Sequence, residues 1–410
     1  MKSTFPLSSH SPQLSGPSTS RTSSRVKPQP SPGVGRFVLV GGFLGAGKTS
    51  VIGAMVRWLT QKGLKPGVIT NDQGEGLIDT ALGRNETTVV KEVTGGCFCC
   101  RASELGLALT AMDVESQPDV FIAEPVGSCT DLMATVILPM EQIYQTPLEM
   151  APMSVVIDAA RLEAAMLDEQ AGDKAGRRSG FTADVRYIFD KQLEEAELLV
   201  LNKVDLLTKK RQVAVVDWLG GKYAGKRILT VSTKTGAGLD EWFSLLLAEQ
   251  SQPVALMEVD YERYGVGEAR MGWYNATLAL HSTGKPIDAN RMLLALAVEI
   301  QKDLEEAGAE IAHFKMALKG SGHGGDNGTA MAVVNGVRNG VAPTLSKRCE
   351  ERFFVGELLV NLRAEAEPEV LSAVVARHLG KARSEWHVIW KHRAAFKPGQ
   401  PQPTYRRTRL

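Results

Sequence analysis

The stretch Phe37-Val38-Leu39-Val40-Gly41-Gly42-Phe43-Leu44-Gly45-Ala46-Gly47-Lys48-Thr49-Ser50 decides the fold. From Gly42 the spacing Gly-x-x-x-x-Gly-Lys-Thr is that of a phosphate-binding loop, whose backbone N–H groups wrap a pyrophosphate at the start of a helix. Glycines let the backbone come that close and turn that tightly. The apolar run before the loop reads as a buried strand, and Val51, Ile52, Met55, Val56 and Leu59 behind it recur at helical spacing. Gly42, Gly45, Ala46, Gly47, Lys48, Thr49 and Ser50 are therefore the candidate phosphate cradle. Lys48 would set its ammonium on the β- and γ-phosphates, and the Thr49 hydroxyl would join a magnesium shell.

Outward from the loop, apolar runs at Phe37–Val40, Gly67–Thr70, Thr88–Val93, Val120–Ala123, Ser154–Asp158, Leu198–Leu201 and Ile228–Val231 alternate with helical stretches. Near-continuous apolar strands separated by helices imply an α/β, P-loop NTPase fold with a largely parallel sheet covered on both faces. Functional loops then gather at the carboxyl ends of the strands. Beyond a hinge near Ser251–Gly272 the pattern changes. Gly272–Leu280, Ile311–Leu318, Thr329–Val334 and Phe353–Leu362 read as strands, with helices over Ile287–Ala307 and Pro368–Leu379, which predicts a smaller α+β domain of ferredoxin-like type.

The 410 residues suit two domains with ample apolar content for their cores. A formal net charge of +1 gives no electrostatic argument for nucleic acid or a membrane surface, and no apolar run reaches membrane-spanning length, so neither partner is expected. Five cysteines, three of them within one tetrapeptide, are not a disulfide framework and point to a reducing interior. Residues 1–34, rich in Ser and Pro and without Asp or Glu, predict a disordered tail; an organellar transit peptide shares the composition, but no Arg-bearing amphipathic helix forms. The expected division is a P-loop GTPase domain at 35–252, an α+β domain at 265–395, and a second disordered tail at 396–410. Gly172–Gly180 reads as a mobile loop in which Arg177 and Arg178 are solvated.

Asn202-Lys203-Val204-Asp205 follows the strand Leu198–Leu201. In this pattern the carboxylate accepts from the guanine N1–H and 2-amino group, the Asn polarises the 6-oxo edge, and the Lys stem covers the ring. Adenine offers no such pair of donors, and a buried acceptor left unpaired penalises the wrong base. Ser232, Thr233 and Lys234 resemble the Ser-Ala-Lys loop that closes over guanine, with Thr233 in place of Ala. GTP is therefore the expected nucleotide.

Cys97, Cys99 and Cys100 lie in Gly95-Gly96-Cys97-Phe98-Cys99-Cys100. Thiolates are soft ligands suited to zinc and other thiophilic ions, and three of them leave one coordination position for water, substrate or a partner's side chain. The glycines free the backbone to turn the thiols together. Cys129 stands apart in sequence, and a lone cysteine is more often packing than ligand. Asp158 is expected to cap the turn after its strand.

The phosphate loop, the Cys-x-Cys-Cys, Glu124-Pro125-Val126-Gly127 and Asn202–Asp205 occur in the order found in CobW-type GTPases, and residues 36–250 resemble that family. It is similar to the urease- and hydrogenase-accessory GTPases. The resemblance implies a cytoplasmic GTPase that binds zinc or cobalt at the cysteines and couples GTP hydrolysis to delivery of metal, or a metal cofactor, to a client metalloprotein. It implies that Glu124 serves the magnesium or the attacking water, and that the Gly127 N–H senses the γ-phosphate. Asn71–Gly76 then stands at the first switch, with Asp72 or Glu75 as a further magnesium-side carboxylate. Pro125-Val126 departs from the small hydroxyl residues usual in the family. The alternative is a regulatory P-loop GTPase or transferase with a structural zinc site. A closed structural site would take four ligands, whereas only three cysteines cluster in the sequence.

Overall fold

A computed structural model describes residues 34–72, 88–171, 180–253, 255–320, 330–380 and 386–410. The tail expected at 1–34, apart from Val34, the switch residues Gln73–Asp79 with Glu75, and the arginines Arg177 and Arg178 lie outside the described residues.

β1 (Gly35–Gly41) contains Phe37–Val40, all fully buried, because a central parallel strand is covered on both faces. It pairs in parallel with β4 (Val120–Glu124) and, on its opposite edge, with β6 (Ser154–Asp158); the short β5 (Leu148–Met150) also joins it. With β2 (Pro66–Asp72), β3 (Val89–Thr94), β7 (Leu198–Asn202) and β8 (Arg227–Thr230) the order is β3-β2-β4-β1-β6-β7-β8, parallel throughout. Growth of the sheet reverses at β1, and ligands of open α/β sheets bind at such a point, beyond the carboxyl ends of the strands. The phosphate loop, Asp72, Glu124, Asp158 and Asn202 all close strands on that edge.

The pleat sends alternate side chains of β1 to two cores. Val38 and Val40 pack with Val51, Ile52, Met55 and Leu59 of α1 (Lys48–Gln61) and with Trp242, Phe243 and Leu246 of α6 (Leu239–Ala248). Phe37 and Leu39 join Leu105 and Leu109 of α2 (Ala102–Ser116) and Val185 and Ile188 of α4 (Ala183–Glu195), while α3 (Ala159–Ala171) and α5 (Lys209–Lys222) flank β6 and β7. Arg36, only 1 % exposed, ties the base of this unit together by donating from Nε to the Leu246 carbonyl and from Nη1 to Glu149.

The second sheet is antiparallel, in the order β12-β11-β10-β13-β9-β14. Its strands are β9 (Met271–Ser282), β10 (Glu310–Gly320), β11 (Met331–Gly336), β12 (Thr344–Lys347), β13 (Val355–Glu365) and β14 (Trp386–Phe396). Helices α8 (Ala289–Glu306) and α9 (Pro368–Leu379) cover one face, sharing a core with Tyr274, Leu278, Phe314, Val360 and Leu362. The β9-α8-β10, β13-α9-β14 arrangement is the split β-α-β pattern of ferredoxin-like sheets, with β11 and β12 added beside β10. Sequence patterning missed β5, β12 and β14. β14 pairs only with β9, so beyond Trp386 its side chains are half-buried or exposed, and an edge strand that carries His387, Lys391 and Arg393 reads as a charged surface.

Two expectations change. The stretch Ser251–Gly272, expected as a hinge, contains α7 (Tyr261–Arg270), capped by Asp260, whose carboxylate accepts from the backbone N–H groups of Glu262 and Arg263. Its buried side presents Tyr264 and Glu268 to the parallel-sheet unit. The disordered tail expected at 396–410 is corrected as well. Phe396 ends β14, and the residues beyond it lie on the parallel-sheet unit, with Pro398 and Pro401 buried. A Pro-rich segment without a core of its own is held there by hydrogen bonds to backbone and carboxylate groups of that unit.

Leu201 is fully buried on β7, directly before the Asn-Lys-x-Asp turn. Leu201→Ala should lower unfolding stability by about 2–5 kcal/mol, read from a denaturant midpoint shift at constant slope.

Candidate functional site

The Gly42–Ser50 loop and the Asn202–Asp205 turn are hydrogen-bonded to each other. Lys48 Nζ donates to the Gly42 carbonyl at 2.9 Å, across the turn it would use to reach phosphates. Asn202, fully buried, donates from Nδ2 to the Ala46 carbonyl at 3.0 Å and accepts from Thr233 N and Oγ1. Gly47 has φ 99°, and a Cβ there would stand 2.6 Å from Asn202 Nδ2, so the loop cannot carry a side chain at this position. Lys203 Nζ donates to the Gly45 carbonyl at 2.6 Å and to Asp158 Oδ2 at 2.7 Å. Asp158 caps its turn through Ala160 N and Arg161 N, as expected, and in addition pairs with Lys203; despite burial, that charge holds its carboxyl below the usual range. Asp205 accepts from Ser232 Oγ at 2.6 Å, while Lys234 and Ser50 are exposed.

On the other flank, the Thr49 hydroxyl donates to both Glu124 oxygens, at 3.0 and 3.2 Å. These are the two oxygen donors that a magnesium ion beside a phosphate loop would share. Asp72 closes β2, and its side chain lies outside the described residues. Gly127 abuts the phosphate loop: a Cβ there would meet Leu44 Cδ2 at 2.7 Å and Leu44 N at 3.0 Å.

The three cysteines form one cluster. Their Sγ atoms are separated by 2.7 Å (Cys97–Cys99), 3.1 Å (Cys97–Cys100) and 3.7 Å (Cys99–Cys100), and no disulfide links them. A turn closed by Cys100 N and Arg101 N donating to the Cys97 carbonyl brings them together. Hydrogen bonds from Cys100, Cys129 and Cys99 hold the Cys97 thiol well below the usual thiol range, whereas Cys100, bonded to Cys97, is pushed up to about 11. Cys129, which the sequence places two residues beyond Gly127 and assigns more readily to packing than to ligation, therefore lies against the cluster.

Three positioning residues escaped sequence reasoning. Asn71, at the end of β2, donates from Nδ2 to the Val93 and Gly96 carbonyls and accepts from Phe98 N, so one side chain holds the cysteine loop to the end of β2. Gln192 of α4 donates from Nε2 to the Gly127 carbonyl at 3.0 Å and to that of Cys129 at 2.8 Å. Tyr264 of α7 donates its hydroxyl proton to the Ser128 carbonyl and accepts from Thr130 N. Resemblance alone places Asn71, as the start of the first switch, and the sequence does not single out Gln192 or Tyr264.

A model of the family described as CobW/HypB/UreG, nucleotide-binding domain, matches residues 36–228. These residues belong to that family. Among relatives, the zinc chaperone YeiR of Escherichia coli is 28% identical over 191 residues, 45% of this chain and 51% of its own length. The zinc chaperone CobW of a Sinorhizobium species is 27% identical over 212 residues, 48% of this chain and 58% of its own. The match thus spans little more than half of these curated relatives. Among solved structures, the Zn(II)-bound YjiA GTPase from E. coli overlaps 84% of this chain and 98% of its own at 16% identity, with a TM-score of 0.34. The CobW/HypB/UreG portion ends before α6, and the antiparallel sheet lies wholly outside it.

Glu268 of α7 is 2 % exposed, and its Oε2 has no hydrogen-bond partner among the described residues. Burial pushes its carboxyl from 4.5 up to about 8. The folded state then holds a proton that the unfolded state releases, so this contribution to stability is full below pH 4.5 and is lost as pH rises through about 8. Glu268→Gln should lessen the fall in stability between those limits, measured by denaturant unfolding of metal-free protein across that range.

Proposed function

We propose that this chain is a GTPase that couples GTP hydrolysis to the handling of a thiophilic metal, zinc or cobalt, which it passes on, alone or within a cofactor, to a client metalloprotein. Lys48 and the backbone of Gly42–Ser50 bind the phosphates, and Asn202, Lys203 and Asp205, closed by Ser232, Thr233 and Lys234, bind guanine. Thr49 and Glu124, with Asp72 from the first switch, would hold a magnesium ion, which neutralises phosphate charge in such sites. Gly127, against Leu44, is the residue on the second switch that responds to the γ-phosphate. Cys97, Cys99 and Cys100 hold the metal as cargo. The donor set fits, since three thiols within 4.8 Å of one another suit a soft ion far better than a hard one.

The observation that carries the reading is the shared anchoring of the two sites. Asn71 fastens the cysteine loop to the strand that leads into the first switch, and Gln192 fastens the carbonyls of Gly127 and Cys129 together. A change at the γ-phosphate side therefore has a covalent and hydrogen-bonded route to the thiols, and metal must in turn alter nucleotide affinity by the same factor.

A regulatory GTPase or transferase with structural zinc is the second reading, and one observation favours it. Cys129 is buried in the same core as Cys97 and Cys99 and borders the Cys97 thiol, and a fourth thiol drawn in by a metal would complete the usual composition of a closed structural site. Metal removal separates the two. A structural site unfolds on chelation, whereas a cargo site leaves folding and GTP binding intact.

Zinc, with cobalt as a spectroscopic stand-in, should bind protein loaded with GDP and with a non-hydrolysable GTP analogue with affinities that differ by at least about fivefold. A Cys97/Cys99/Cys100→Ser control should lose the binding, and Asn71→Ala should shrink the difference. Equal affinity in both nucleotide states would remove the coupling.

The base assignment has its own test. Asp205→Asn should weaken GTP binding by about 2–3 kcal/mol and partly restore binding of xanthosine triphosphate, because an amide donates to the 2-oxo group where the carboxylate accepted from the amine. Unchanged GTP affinity in a direct titration would overturn guanine recognition.

A further inference from the structure

Residues 398–407 cross from the end of β14 to the cysteine loop and follow it closely. Gln402 N donates to Cys100 Sγ at 3.2 Å. Thr404 N donates to the Cys99 carbonyl at 2.8 Å, and its hydroxyl to the Cys100 carbonyl at 3.2 Å. Further along, Arg406 Nε donates to Asp131 Oδ2 at 2.7 Å, Arg406 Nη2 reaches the Met257 carbonyl, and Arg407 N donates to the Ala134 carbonyl at 2.9 Å.

The anchor for this strap is built into the unit beneath it. The Asp131 side chain is 2 % exposed, also accepts from the Tyr261 hydroxyl at 2.6 Å, and belongs to a residue held at φ 64°. A non-glycine residue keeps that conformation only where its surroundings hold it in place. Cys97 and Cys99 are 5 % and 1 % exposed, whereas Cys100 is only half-buried and is the thiol that meets the strap. The open side of the donor set is thus the side that Gln402 and Thr404 cover.

We propose that residues 398–407 are a working part of the metal site: the Gln402 N–H supports the Cys100 thiolate, and the Arg406–Asp131 pair latches the strap across the route by which metal enters and leaves. This rests on the cysteines holding metal. Hydrogen bonds to ligand atoms orient them and tune their donor strength, and their loss commonly weakens metal binding by about 10- to 100-fold. The strap comes from β14, so a client that displaces it, or a shift of the antiparallel sheet, would open the site without any change at the phosphate loop.

The test uses the full chain loaded with cobalt. Gln402→Pro deletes one N–H in a segment that already carries Pro401 and Pro403, and should move the thiolate-to-cobalt charge-transfer band to lower energy, because an unbonded thiolate is the better donor. Arg406→Glu, and a chain ended after Lys397, should weaken cobalt affinity about tenfold and speed its loss to a chelator. Arg406→Lys should restore slow loss, and GTP-analogue affinity, measured on metal-free protein, should not change in any variant. In metal-free protein, alkylation of Cys100 should quicken in Arg406→Glu and in the shortened chain. A cobalt–thiolate band that neither Gln402→Pro nor the shortened chain alters, with Cys100 alkylation at the wild-type rate, would overturn the strap alone. The absence of any such band in the wild-type chain would overturn both the strap and the metal reading beneath it.

Discussion

Three hydrogen bonds from the Asn71 side chain hold the cysteine loop against the end of β2, and the placement of the thiols depends on them. Two carbonyls and one N–H of a Gly-rich turn would otherwise be left at the edge of a core, where unpaired backbone groups cost about 1–3 kcal/mol each. A single amide satisfies all three. The residue that does so is covalently next to Asp72, so the loop that gathers the thiols is tied to the carboxyl end of β2, on the edge that also carries the Gly42–Ser50 loop.

The same economy recurs on the other strands of that edge. Asn202 and Lys203 bond to carbonyls of the Gly42–Ser50 loop rather than to one another, which fixes the distance between that loop and the Asn202–Asp205 turn. Gln192 and Tyr264 satisfy the backbone between Gly127 and Thr130 from two different helices. The segment after β4 is therefore clamped from α4 and from α7, and α7 leads directly into β9. Contact between the two sheets adds to this. Arg161 Nη2, beside Asp158, donates to the Ile311 carbonyl at 3.3 Å and to that of Val337 at 2.5 Å, so residues flanking the nucleotide site also bear on the antiparallel sheet.

Burial around the thiols is deep and polar at once. Cys129, Tyr264 and Glu268 are all at most 2 % exposed, and burial raises the carboxyl of Glu268 to about 8. A buried carboxyl with one oxygen unpaired is costly, and proteins retain such groups where something other than stability is gained. Here it lies on the helix that joins the two sheets, close enough to Cys97 for the two charges to repel.

By itself the sequence determined what contiguous residues can declare. Gly42–Ser50, Cys97–Cys100 and Asn202–Asp205 each bring their candidate chemistry together within a few residues, so spacing alone marks them as a phosphate-loop pattern, a thiol cluster and an Asn-Lys-x-Asp turn, and buried parallel strands announce themselves by unbroken apolar runs. The α+β character of the second sheet was legible from β9, β10, β11, β13 and the two helices, while β14, as long as β10 and β13, was hidden by the charges of an edge strand. What only the tertiary structure decided joins residues far apart in the chain. Cys129 meets Cys97 because β3 and β4 flank β2 with their carboxyl ends on one edge. Gln402 meets Cys100 across a separation of 302 residues, because the edge strand β14 returns the chain to the parallel-sheet unit. The donor in that contact is a backbone N–H, which every residue but proline carries, and such a bond leaves no trace in residue type.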